Sequence, residues 1–179
     1  AVGRHRDAIE GLTKIIAVAN KAHKRAMAGE IDDDYHMTIP LERIYETRGT
    51  MFHEIAAHKL ALADLGRAIS LNPDRPENYY LRADCHSKLG NYELALNDYN
   101  EADDRGFSDM CSLTSSRGMI KRMCGNSLGA REDFEVSIDL LNNLIMNNVD
   151  GGGIGLSDKY NKEDAALLGI RLASLKALC

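Results

Sequence analysis

The stretch MFHEIAAHKL at residues 51–60 holds the residue types of a zinc hydrolase, two histidines and a glutamate in one short segment. The HExxH arrangement works because histidines four residues apart project from one helix face onto a single metal, with the glutamate beside them as general base. His53 and His58 are five apart, which turns the second ring by about 140° around a helix. The segment therefore does not read as a catalytic metal site. GGGIG at 151–155 has Leu156 where a dinucleotide-binding loop needs its last glycine, and no GK[ST] follows. It reads as a surface loop, with contact to a partner as the alternative. Cys85, Cys111, Cys124 and Cys179 form no CxxC pair, so they read as reduced thiols, and Cys85 and Cys124 are expected to be buried. Ser115 and Ser116 have no histidine in register with them, and IDDD at 31–34 lacks the spacing and distal glutamate of a calcium loop. The expectation is a protein that is not an enzyme and takes no cofactor and no metal.

Charge narrows the partners. The formal net charge of −5 lies wholly within residues 76–110, where Arg82, Lys88 and Arg105 face eight acidic groups. Nucleic-acid binding draws most of its affinity from phosphate neutralisation, and no basic footprint for it exists here; KAHKR at 21–25 reads as a solvated helix face. No apolar run reaches the roughly 18 residues of a membrane span, and no apolar segment follows basic residues as in a signal peptide. An intracellular, cytoplasmic protein is expected, with a cilium or the cytoskeleton as the alternative location. The hydrophobic content of 44% suffices for a packed core.

The elements that position these residues emerge from internal repetition, because a fixed period of some tens of residues decides the architecture. ERIYETRGTMFHEIAAHKLALADLGRAISLNP from Glu42 aligns with PENYYLRADCHSKLGNYELALNDYNEADDRGF from Pro76 at an offset of 34. Tyr45 falls on Tyr79, Arg48 on Arg82, Phe52 on His86, Ala61 on Ala95, Leu65 on Tyr99 and Ala68 on Ala102. A third copy from Cys111 places Arg117 and Gly118 on Arg48 and Gly49, Gly125 on Gly90, Ala130 on Ala61, Phe134 on Leu65 and Ser137 on Ala68. HRDAIEGLTKII at 5–16 also matches HKLALADLGRAI at 58–69. Small residues recurring on two helices let their backbones approach to about 8–10 Å, with aromatics filling the space alongside. Gly90 and Gly125 mark the turn between the helices, and LNPDRPEN separates one copy from the next.

The pattern of aromatic, small and proline positions in these copies resembles the tetratricopeptide repeat. The resemblance implies an all-α, right-handed α-solenoid of helix-turn-helix repeats. Its expected divisions are a long helix at 4–29 (the second helix of a partial repeat), repeats at 42–75, 76–110 and 111–144, a flexible loop at 145–160, and a capping helix or first helix of a further repeat at 161–178. The partial first repeat and the missing initiator methionine carry the expectation that the chain was cut from a longer array.

In this family the first helices line a concave groove through positions 2, 5, 9, 12 and 13. By register those are Arg43, Glu46, Thr50, His53 and Glu54 in the first copy. The second copy contributes Glu77, Tyr80, Asp84, Ser87 and Lys88, and the third Ser112, Ser115, Met119, Arg122 and Met123. The resemblance thus implies a scaffold or adaptor binding a peptide or helix of a partner protein. A structural subunit of a large assembly, such as a ciliary or cytoskeletal one, and a regulatory array of a larger multidomain protein are the alternatives; the oligomeric state stays open. The carboxylate clamp that some members use for acidic chaperone tails is absent, since its places hold Glu46, Thr50, Leu81, Ser112 and Ser116. Glu46 and Asp84 would repel a carboxylate, which favours a basic or neutral polar partner. The register itself is testable: Ala95→Leu should overpack the helix–helix contact and cost about 1–3 kcal/mol, and an unchanged thermal midpoint would mean that the alignment is wrong.

Overall fold

The computed structural model describes residues 2–28 and 40–149. Among them are the helices α1 (Val2–Met27), α2 (Leu41–Glu54), α3 (His58–Leu71), α4 (Pro76–Lys88), α5 (Tyr92–Asp104), α6 (Met110–Met123) and α7 (Ser127–Val149), and no strand. The chain divides into two compact units, Ala1–Gly106 and Phe107–Cys179, so α1 to α5 form one and α6 with α7 belong to the other. The helix pairs α2/α3, α4/α5 and α6/α7 span Leu41–Leu71, Pro76–Asp104 and Met110–Val149. Helix α7 runs to Val149, past the expected boundary at 144. The expected helix at 161–178, the GGGIG loop and the IDDD segment lie outside the described residues.

Local chemistry sets the helix ends. Pro76 takes the first position of α4, where a missing N–H costs nothing. Asp109 caps α6 by accepting from the Ser112 amide at 2.9 Å. The turn within each hairpin closes in the same way: Gly90 N donates to Ser87 O and Asn91 N to His86 O, and Gly125 N to Arg122 O with Asn126 N to Lys121 O. This double closure needs a left-handed residue, supplied by Gly90 at φ 79° and Gly125 at φ 82°. Ala56 fills the same place in the first copy at φ 58°, a conformation that is strained for a residue with a Cβ.

Inside each hairpin the helices touch at the small residues. Ala61, Ala68, Ala83, Ala95 and Ala102 have no exposed surface. A Cβ on Gly118 would lie 2.7 Å from a ring carbon of the buried Phe134 and 3.1 Å from the Ala130 carbonyl, so only glycine fits there.

Beside that close approach runs an ion pair that every copy repeats. Arg48 Nε and Nη2 donate to the two oxygens of Asp64 at 2.6 and 2.7 Å. Arg82 holds Asp98 with both bonds at 2.7 Å, and Arg117 holds Asp133 at 3.0 and 2.9 Å. Each is a two-pronged clasp from the first helix to the second. The Arg48 guanidinium also lies over the rings of Tyr45 and Phe52 at 5.9 and 5.7 Å, and that of Arg82 over Tyr79 at 5.7 Å. Asp98→Ala should cost about 3 kcal/mol, the low end for breaking a buried pair, because a quarter of the Arg82 side chain stays exposed. Denaturant titration checks this, and Arg82→Met with Asp98→Leu should lose much less than Asp98→Ala alone if the penalty is an uncompensated charge.

Candidate partner-binding surface

In the first unit, α2 and α4 lie side by side and bring together most of the residues expected to line a groove. Glu46, Thr50, His53, Glu77, Tyr80, Asp84 and Ser87 are partly accessible, while Arg43, Glu54 and Lys88 are exposed. Several are already tied to one another. Glu46 accepts from Arg43 on its own helix at 3.1 Å and from Arg75, just before α4, at 3.0 Å. His53 Nε2 sits 2.7 Å from Asp84 Oδ2, bridging α2 to α4, and Lys88 approaches the other Asp84 oxygen at 4.0 Å. The bond from His53, with smaller help from Lys88, holds the Asp84 carboxyl below its usual range. Thr50 turns its hydroxyl back to the Glu46 carbonyl at 2.9 Å. Glu54 pairs with His5 of α1 at 2.6 Å.

The third-copy residues belong to the second unit. Met119, Arg122 and Met123 are exposed, with 38% and 55% accessibility at the two methionines. Ser112 is engaged by the capping Asp109. Ser115 departs from the expectation: it is buried at 8% accessibility and its hydroxyl donates to the Ser112 carbonyl at 3.1 Å, so it offers no groove contact.

The histidine pair stands across the turn between α2 and α3, His53 near the end of one helix and His58 at the start of the next. The turn at 55–57 folds α3 back, so the His53 and His58 rings meet edge to face at 5.9 Å. His53 spends its Nε2 on Asp84, and among the described residues no three His, Cys, Asp or Glu side chains converge on a point that could hold a metal. Cys85 is buried as expected, and burial pushes its thiol up to about 12. Cys124 corrects the expectation: as the C-cap of α6 it stands at the helix end and is exposed.

Two features escaped the motif search. One is the clasp aspartate; Asp64, Asp98 and Asp133 recur at the same intervals as the arginines, and that recurrence was the signal. The other is a cleft of about 660 Å³ between the end of α3 and helices α4 and α5, lined by Tyr79, Arg82, His86, Leu94, Glu101 and Arg105 among others. Arg105 closes one side, its guanidinium 4.4 Å from the Tyr79 ring centre and its Nε donating to the Pro73 carbonyl at 2.8 Å.

Residues 76–105 match the sequence model of the tetratricopeptide repeat family. Human tetratricopeptide repeat protein 13 is 36% identical over 91 residues, 51% of this chain, and the chain spans 10% of that protein's length. Among solved structures, MamA aligns at 14% identity and a TM-score of 0.54, over 90% of this chain and 89% of its own. The type III secretion translocator chaperone SycD of Yersinia enterocolitica aligns at 13% and 0.54, over 83% and 96%. A T3SS complex from Aeromonas hydrophila aligns at 17% and 0.57, over 90% and 95%. At these identities the likeness is one of fold. Residues 76–105 thus carry a tetratricopeptide repeat, and the all-α helical hairpins share the fold of these solenoid proteins.

The cleft carries a pH signature. Burial holds His86 below its ordinary value, only partly offset by Asp98. A histidine kept neutral in the folded state stabilises fully above about pH 6.5 and loses that contribution as pH falls through the folded-state value. His86→Gln should therefore shrink the fall in thermal midpoint between about pH 7.5 and 5.5; an equal fall in both proteins would show that His86 is not responsible.

Proposed function

We propose that the chain is a protein-interaction scaffold, not a catalyst, and that it binds an extended peptide or a helix along the α2/α4 face. The observation that carries this reading is the accessible polar row of Glu46, Thr50, His53, Tyr80, Asp84 and Ser87, held in place by the His53–Asp84 and Arg75–Glu46 bridges between neighbouring repeats. A surface fixed before binding has less conformational freedom to lose when a partner arrives. Met119, Arg122 and Met123, exposed in the second unit, are candidate contacts of that unit by itself. Glu46 and Asp84 select against a carboxylate, so the partner brings basic or neutral polar side chains and is not an acidic chaperone tail. Work in the cytoplasm is part of this reading; among the described residues no helix is long and apolar enough to cross a membrane. The span of 10% of the human relative favours, as a second reading, an array that serves a larger protein.

Selection of a displayed random-peptide library on the full chain tests the proposal. Basic or neutral peptides should be enriched, and Thr50→Arg with Ser87→Arg should weaken them by at least about tenfold with an unchanged melting curve. Enrichment of acidic carboxy-terminal peptides, or retention of binding by that double variant, would overturn the groove reading.

A further inference from the structure

The first two clasps differ at one nitrogen. Arg48 spends Nε and Nη2 on Asp64, and its remaining nitrogen, Nη1, donates to the Thr13 hydroxyl oxygen of α1 at 2.9 Å. The alignment that sets His5 on His58 sets Thr13 on Gly66 of α3, so the second copy brings no side chain to the matching place. Arg82 likewise spends Nε and Nη2 on Asp98, but among the described residues nothing accepts from its Nη1. Its side chain is the more open of the two, 25% exposed against 14% for Arg48. A Cβ built on Gly66 meets nothing within 4 Å. Arg82 thus brings an unspent donor to the cleft of about 660 Å³ between the end of α3 and helices α4 and α5.

The rest of the lining narrows what that donor can receive. Arg82 is balanced by Asp98 and Arg105 by Glu101, and burial keeps His86 uncharged near neutral pH. The cleft therefore carries no net charge, within a stretch where acidic groups outnumber basic ones by eight to three, and a free anion is disfavoured. Glu101 meets Arg105 through one oxygen, which leaves its other oxygen to accept. A donor and an acceptor thus line the same cleft. A carboxylate can only accept and an ammonium can only donate, whereas a carboxamide does both. Ile69 and Leu94, the latter 52% exposed, add apolar wall that suits the methylenes of a glutamine.

We propose that this cleft is a second interaction site of the first unit and takes a glutamine side chain of a peptide partner, its carbonyl on Arg82 Nη1 and its amide N–H on Glu101. The site is separate from the α2/α4 row. Tyr79, Arg82 and His86 leave α4 about 130° around the helix from Tyr80, Asp84 and Ser87, so either site can fail without the other.

An NMR titration of the isotope-labelled full chain with N-acetyl-glutamine methylamide tests the assignment. The probe should shift the amide signals of Gly66, Ile69 and Leu94 saturably, and N-acetyl-glutamate methylamide should bind at least about tenfold more weakly because its charge meets Glu101 and Asp98. Gly66→Thr, which restores the hydroxyl that Arg48 has in Thr13, should weaken the glutamine probe at least about tenfold. The paired variant Thr50→Arg with Ser87→Arg should leave the probe's affinity unchanged. A readout free of any ligand checks the unspent donor: Gly66→Thr should melt about 2–4 °C above Gly66→Val, which has the same shape without the oxygen. No saturable shift up to the solubility of the glutamine probe, equal or tighter binding of the glutamate probe, or full binding by Gly66→Thr would each overturn the proposal. Equal melting of the Thr and Val variants would overturn it as well.

Discussion

The rest of the structure depends on the two-pronged arginine–aspartate clasp inside each hairpin. Helices joined by a short turn could slide or rotate against one another with little change in buried apolar area, because the hydrophobic effect has no direction. A guanidinium held on both nitrogens has one geometry. Arg48, Arg82 and Arg117 each reach an aspartate sixteen residues later, which fixes the rotation of both helices and so decides which side chains face outward. The bond to aspartate also raises the arginines at 48 and 82 above their ordinary values, keeping the charge the clasp requires. Buried ion pairs are often no more stabilising than well-packed apolar residues; their value here is the register that places Glu46, Thr50, His53 and Asp84 on one surface.

Much of that register was legible in the sequence, and the reason is periodicity. Ala61, Ala95 and Ala130 sit at contacts where a larger residue would clash, so their recurrence marks the helix–helix seam. Gly90 and Gly125 recur because the closing turn needs positive φ, and Ala56 shows how that signal can vanish while the turn persists. The candidate groove residues were named by counting from the seam. What did not follow was their pairing. His53 and Asp84 lie 31 residues apart, and nothing local in either segment announces the bond. Ser115 was misplaced for a related reason: register gives a direction around the helix, but burial depends on what packs there. Asn78 shows the same limit. It occupies the place of Ile44 and Leu113, is fully buried, and has no hydrogen-bond partner for its amide among the described atoms.

The hairpins of the first unit are joined to one another by histidine as well as by arginine, the latter through Arg75 and Glu46. Within a hairpin the polar link is the two-pronged clasp of arginine on aspartate. Between hairpins the links include His53 to Asp84 and, from α1, His5 to Glu54. Each histidine link is a single contact, whereas each arginine clasp is two-pronged. A competing ligand group can thus act on a joint and leave the hairpins whole.

The same contrast bears on selectivity at the α2/α4 face. Glu46 already satisfies two arginines and Asp84 a histidine with a lysine nearby, so neither is a bare negative charge waiting for a counter-ion. A basic ligand group gains from Asp84 only by sharing it with His53 or displacing it, and displacement loosens the joint between the repeats. A ligand carboxylate meets Glu46 and Asp84 with no uncommitted cation at the positions where a clamp would supply one, since those hold Glu46, Thr50, Leu81, Ser112 and Ser116. On the proposed reading the face discriminates more by the partners it repels than by those it attracts, and its affinity comes from shape and from Tyr80 within the row.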